Sequence, residues 1–77
     1  MMNEQKLKKF LADVFRVPET TINEQTVMKD VDTWDSMTHM ELILSFESKL
    51  GVIFSGEEIM HMTSFASIFS ILSSKGV

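Results

Sequence analysis

Ser36, His39, Glu41 and Glu47 cluster near the middle of the sequence and carry the side chains most able to do chemistry. A serine hydrolase would set Ser36 beside a base. His39 is three residues on, which on a helix turns it about 60° away from Ser36. No Gly-x-Ser-x-Gly elbow is present to strain and expose the serine. His39 and His61 have no recognised metal spacing and too few co-ligands. Asp30, Asp32 and Glu41 fit positions one, three and twelve of a calcium loop, but Trp34 falls at position five and Asp35 where the turn needs glycine. Glu41 and Glu47 stand six apart and form no acid–base pair; they are expected as solvated charges able to meet a partner's Arg or Lys. The chain has no cysteine, so it has no thiolate of its own. No catalytic and no metal site is therefore expected. What remains is Ser36 itself, a hydroxyl better suited to receive a group than to catalyse. The bland alternative is that Asp35-Ser36 starts a helix, as such pairs commonly do.

The elements that must position Ser36 are helices. Leu7, Phe10, Leu11, Val14 and Phe15 follow i, i+3, i+4, i+7, i+8 and predict an amphipathic first helix, ended by Pro18. Val17 to Asp35 reads as a long loop, pinned by Ile22, Val27 and Val31, with a helical turn near Asn23 to Met28. Loops of this length in small domains often signal function. The second helix is predicted to open at Asp35 or Ser36 and to run to Leu50, stopped by Gly51. After Val52-Ile53-Phe54, Ser55 and Glu58 have capping-box spacing for a brief helix. Phe65, Ile68, Phe69 and Leu72 predict a last helix starting after Thr63 or Ser64 and closing at Gly76. No alternating strand pattern competes. The fold class expected is all-α, an antiparallel bundle of three main helices and one short one, with a long first loop.

Size and charge narrow the function. A chain of 77 residues makes one domain, expected over residues 1–77, with little room for a deep cleft. Eleven acidic against seven basic residues give a net charge of −4, which disfavours nucleic acid and suits a partner with a basic patch. The start, Met1 to Lys6, lacks the apolar run of a signal peptide, and no segment is long enough to span a bilayer. A soluble, cytoplasmic monomer without membrane insertion is expected.

At 100° per residue the second helix divides into two sides. Leu42, Ile43, Phe46 and Leu50 form the core side, with His39 at its upstream end in a structural role. Ser36, Met37, Met40, Glu41, Leu44, Glu47 and Ser48 lie opposite. There Met37, Met40 and Leu44 make a narrow apolar line beside two carboxylates, the composition of a docking surface; methionine adapts to several partners.

Trp34-Asp35-Ser36-Met37 is followed by Met40-Glu41-Leu42-Ile43, Phe46-Glu47, Leu50-Gly51, Ile53, Glu57-Glu58-Ile59 and Met62-Thr63-Ser64-Phe65. In order and without gaps, these segments resemble the acyl carrier protein family over effectively the whole chain. The Asp-Ser-apolar motif alone is weak; joined to the helix pattern, the loop length and the later segments it is specific. The resemblance implies that Ser36, flanked by Asp35, carries a 4′-phosphopantetheine arm, transferred from coenzyme A with magnesium by a phosphopantetheinyl transferase. It implies an acyl or related cargo held as a thioester and presented to acyl-loading, modifying or transferring enzymes through Met37, Met40, Glu41, Leu44 and Glu47. Thr38, His39, Ser48 and Lys49 stand where fatty-acid carriers frequently have acids, and Trp34 resembles specialised carriers. A dedicated lipid, polyketide or aminoacyl system is therefore expected. The competing readings are an aminoacyl or peptidyl carrier and, in a different class, a helical adaptor that never carries a covalent group.

Overall fold

The computed structural model describes residues 2–77; Met1, where the signal-peptide reading begins, lies outside them. Four α-helices follow in the order α1 (Glu4–Phe15), α2 (Ser36–Leu50), α3 (Gly56–His61) and α4 (Phe65–Ser74). Among the described residues no strand forms, and the one sheet-like feature is an isolated antiparallel bridge between Val27 and Ser64. The fold is all-α, as the apolar stripes predict.

Each helix begins on a side-chain cap. Asn3 accepts from the Lys6 N–H before α1, and Asp35 from the Thr38 N–H before α2. Ser55 and Ser64 cap α3 and α4 through reciprocal capping boxes. The stops are left-handed at Gly51 (φ 67°) after α2 and, less commonly for a non-glycine residue, at Arg16 (φ 60°) after α1. Pro18 is thus not what ends the first helix. Arg16 closes it two residues earlier, and the Thr33 hydroxyl donates to the Phe15 carbonyl at 2.6 Å.

The core gathers Leu7, Leu11 and Phe15 of α1, Leu42, Ile43 and Phe46 of α2, and Phe65, Ile68 and Leu72 of α4, all essentially buried. Phe10 stacks on Phe46 with ring centroids 4.5 Å apart. Helix α3 differs from the others in having no buried residue. Leu50, expected in the core, is only half-buried, because the helix ends there and its side chain packs at the rim.

The long loop is a strap rather than a free excursion. Ile22 and Val31 are buried as expected, whereas Val27 is half-buried and Thr26 and Trp34 take the interior places. Asn23 to Thr26 makes a tight turn closed by the Thr26 N–H to the Asn23 carbonyl, and the 3₁₀ turns lie at Glu19–Thr21 and Met28–Asp30 rather than across Asn23 to Met28. The reason is a distant partner. The Met28 N–H donates to the Thr63 carbonyl and the Phe65 N–H to the Thr26 carbonyl, both at 2.8 Å. These bonds hold Thr26 and Met28 against the start of α4, so Val27 between them stays extended and the 3₁₀ turn begins only at Met28.

Candidate functional site

Ser36 is the first residue of α2 and is exposed. Its neighbour Asp35 does the capping: Oδ1 accepts from the Thr38 N–H at 2.9 Å. That hydrogen bond, from the Thr38 backbone above all, holds the Asp35 carboxyl below its usual range and so keeps it ionised at the helix start. The serines beside α3 and α4 behave differently. Ser55 Oγ accepts from the Glu58 N–H at 3.1 Å, and Ser64 Oγ accepts from the Ser67 N–H at 3.1 Å. Because an aspartate has taken the cap position of α2, Ser36 Oγ makes no side-chain hydrogen bond among the described residues and faces outward.

That arrangement suits a phosphodiester. The hydroxyl is accessible to a transferring enzyme, and the first turn of a helix offers unpaired N–H groups and partial positive charge to a phosphate. The Ser36 N–H has no partner among the described residues, while the Asp35 side chain takes the Thr38 N–H and draws on that of Met37, and its carbonyl takes the His39 N–H at 2.8 Å. The residues present therefore fit the phosphate end of a 4′-phosphopantetheine group. They do not fit a nucleophilic serine: His39 lies on the inner side, and both of its ring nitrogens are occupied, Nδ1 by the Trp34 Nε1–H at 3.0 Å and Nε2 by the Ile59 carbonyl at 2.9 Å.

On the outer side of α2, Met37 is 75% exposed, Met40 46% and Leu44 59%. The loop does not cover them. On the inner side Leu42, Ile43 and Phe46 are buried, and so is His39. Glu41 is exposed and lies 3.6 Å from Arg16, a solvent-screened pair of little energetic weight. Glu47 is half-buried and one of its carboxylate oxygens accepts from the Phe54 N–H at 3.3 Å. Outside α2, Ile53 and Met60 are also exposed, at 81% and 77%. Their exposure was not legible in sequence, since both sit in stretches that could equally have been core.

No group of three or more His, Cys, Asp or Glu side chains among the described residues could hold a metal ion. Asp30 is occupied as an acceptor for the Val27 N–H, and Glu41 lies within α2. Among the described residues no helix is long and apolar enough to cross a membrane.

No protein-family model matches the chain. Over 70 residues, covering 90% of this chain and 88% of the relative, it is 36% identical to "Acyl carrier protein" from Buchnera aphidicola subsp. Baizongia pistaciae (strain Bp). The all-helical fold agrees with that relationship. The chain belongs to the acyl carrier protein family.

Proposed function

We propose that this protein carries an acyl or related group on a 4′-phosphopantetheine arm joined to Ser36 Oγ through a phosphodiester. The observation that carries the reading is the division of labour at the start of α2: Asp35 caps the helix, leaving the Ser36 hydroxyl exposed and unengaged. When bound, the arm supplies the thiol that a cysteine-free chain lacks and holds cargo there as a thioester.

The chain's own contribution is position and recognition. The first turn of α2 orients the phosphate, and Asp35 fixes the conformation of that turn. Met37, Met40 and Leu44 offer apolar contact to partner enzymes, with Glu41 as the exposed acid beside them and Glu47 at the margin. The partners are a phosphopantetheinyl transferase and the enzymes that load, modify or unload the cargo. A dedicated pathway suits a second helix that places Thr38, His39, Ser48 and Lys49 among its acids. The whole chain, residues 1–77, acts as one carrier domain.

Incubation with coenzyme A, magnesium and a broad-specificity phosphopantetheinyl transferase should add one arm, read as a single increment in intact mass. A chain that gains no mass under conditions that load another carrier would instead be a non-covalent adaptor using the same apolar line.

A further inference from the structure

Trp34 and His39 form a buried polar chain whose role the attachment site does not explain. Trp34 is 3% exposed and stacks on Phe15 at 4.5 Å between ring centroids; His39 is 8% exposed. An indole N–H can only donate. Its bond to His39 Nδ1 therefore requires that nitrogen to be bare, so the imidazole proton resides on Nε2 and is donated to the Ile59 carbonyl. The direction of the whole chain is fixed by its first donor: Trp34 to His39 to Ile59.

What this chain joins is informative. Trp34 closes the strap two residues before Ser36, His39 lies one turn into α2, and Ile59 belongs to α3. Helix α3 is six residues long and buries none of them fully. Its other polar tether is the ion pair of Glu58 with Lys75, at 3.0 Å, at the far end of α4. An element held so lightly by apolar packing depends on such bonds for its position.

We propose that Trp34, His39 and the Ile59 carbonyl form a latch that holds α3 against the first turn of α2, making His39 a positioning residue for the surface around Ser36. Trp34 sets the imidazole tautomer, and the tautomer sets whether α3 is held. The latch stands on these contacts alone; its consequence at Ser36 rests on the attachment reading above.

Two substitutions separate the halves of the latch. In His39→Asn the amide can still accept from Trp34 but is too short to reach the Ile59 carbonyl. In His39→Gln the amide N–H reaches the place of Nε2 and keeps the bond to Ile59. Amide hydrogen exchange is read at Ile59 and Met62, whose N–H groups bond to Ser55 and Ile59 carbonyls, with α1 and α4 as internal controls. His39→Asn should accelerate exchange in α3 roughly tenfold, the effect of one buried hydrogen bond left unmade, with α1 and α4 unchanged. His39→Gln should stay close to wild type. Trp34→Phe, which keeps the stack on Phe15 but frees the tautomer, should fall between them. Equal acceleration in the Asn and Gln variants, acceleration shared by α1 and α4, or none in the Asn variant would overturn the latch.

The second readout is arm transfer to Ser36. The KM for the carrier should rise in His39→Asn and not in His39→Gln, with kcat unchanged in both. A KM that ignores the variants while exchange separates them would overturn the positioning role. A wild-type chain that takes no arm would overturn the attachment reading and with it the consequence at Ser36, while the exchange contrast would still decide the latch.

Discussion

The inner and outer sides of α2 are built from similar residues and end in opposite environments. Leu42 and Phe46 are sealed in the core; Leu44, between them in sequence, is 59% exposed beside Met40 and Met37. Hydrophobicity alone does not distinguish the two sets. Angular position does, because three other elements need a surface to close on and α2 can offer them only one side. An apolar line left outside after the core is complete adds nothing to the stability of the fold, which makes it available for partners. Ser36 lies on that outer side and His39 on the inner, so one helix turn separates the proposed attachment hydroxyl from the proposed latch.

Stability should separate the sides most strongly. Phe46→Ala removes a fully buried ring and its stack on Phe10, and should cost about 3–5 kcal/mol. Against a typical total of about 5–15 kcal/mol that is a large part of the fold's stability. Leu44→Ala should change it by no more than about 0.5 kcal/mol, as surface substitutions do. Urea titrations of the two variants measure the difference, and equal losses would abolish the distinction between the sides.

Partner contact should show the reverse order. Met40→Ala should leave the urea midpoint nearly unchanged yet raise the KM for arm transfer by about five- to tenfold, the size of a moderate interface contact. Glu41→Lys should have a smaller effect, about two- to fivefold, concentrated in association and fading as salt is raised. The Arg16 contact is too exposed for its loss to unfold the domain. Rates across a salt series for wild type and both variants test this, and a Glu41→Lys rate indifferent to salt would remove the electrostatic contribution.

The smallest effect concerns the cap. The Asp35 carboxyl is held below its ordinary value of 3.8 by the Thr38 N–H, so its stabilising contribution is fully present above that pH and is lost as pH falls through the depressed value. Thermal melts through the acid range should fall more steeply for wild type than for Asp35→Asn. Parallel curves would mean that the ionised cap does not matter to the start of α2.

Much of this was legible in the sequence. The stripes at Leu7 to Phe15 and Phe65 to Leu72, with Gly51 and Gly76 as punctuation, mark helices whose core sides the structure reproduces. The angular reading of α2 placed His39 inward and Met37, Met40 and Leu44 outward. The failures share a cause. Arg16 ends α1 in a left-handed conformation that its residue type does not announce, and Val27 is extended because Thr26 and Met28 on either side of it bond to Phe65 and Thr63. Neither a residue's departure from its own propensity nor a pairing as distant as that of Val27 with Ser64 is encoded in local spacing. For the same reason Trp34 reads as part of a motif, while its bond to His39 needs the folded strap to bring the rings together. At the candidate site, the start of α2 at Asp35-Ser36 was legible; that Asp35 rather than Ser36 would cap the helix was not, since both types cap well.

On the proposed function, Ser36, freed from capping by Asp35, is the one serine that accepts the arm. Wild type and Ser36→Ala should be incubated with coenzyme A, magnesium and a phosphopantetheinyl transferase, and their intact masses compared once both are shown to be folded. The wild type should gain a single arm and the Ala variant none, with Ser55 and Ser64 unmodified in peptide maps of both. An Ala variant that gains the same mass as the wild type would contradict attachment at Ser36.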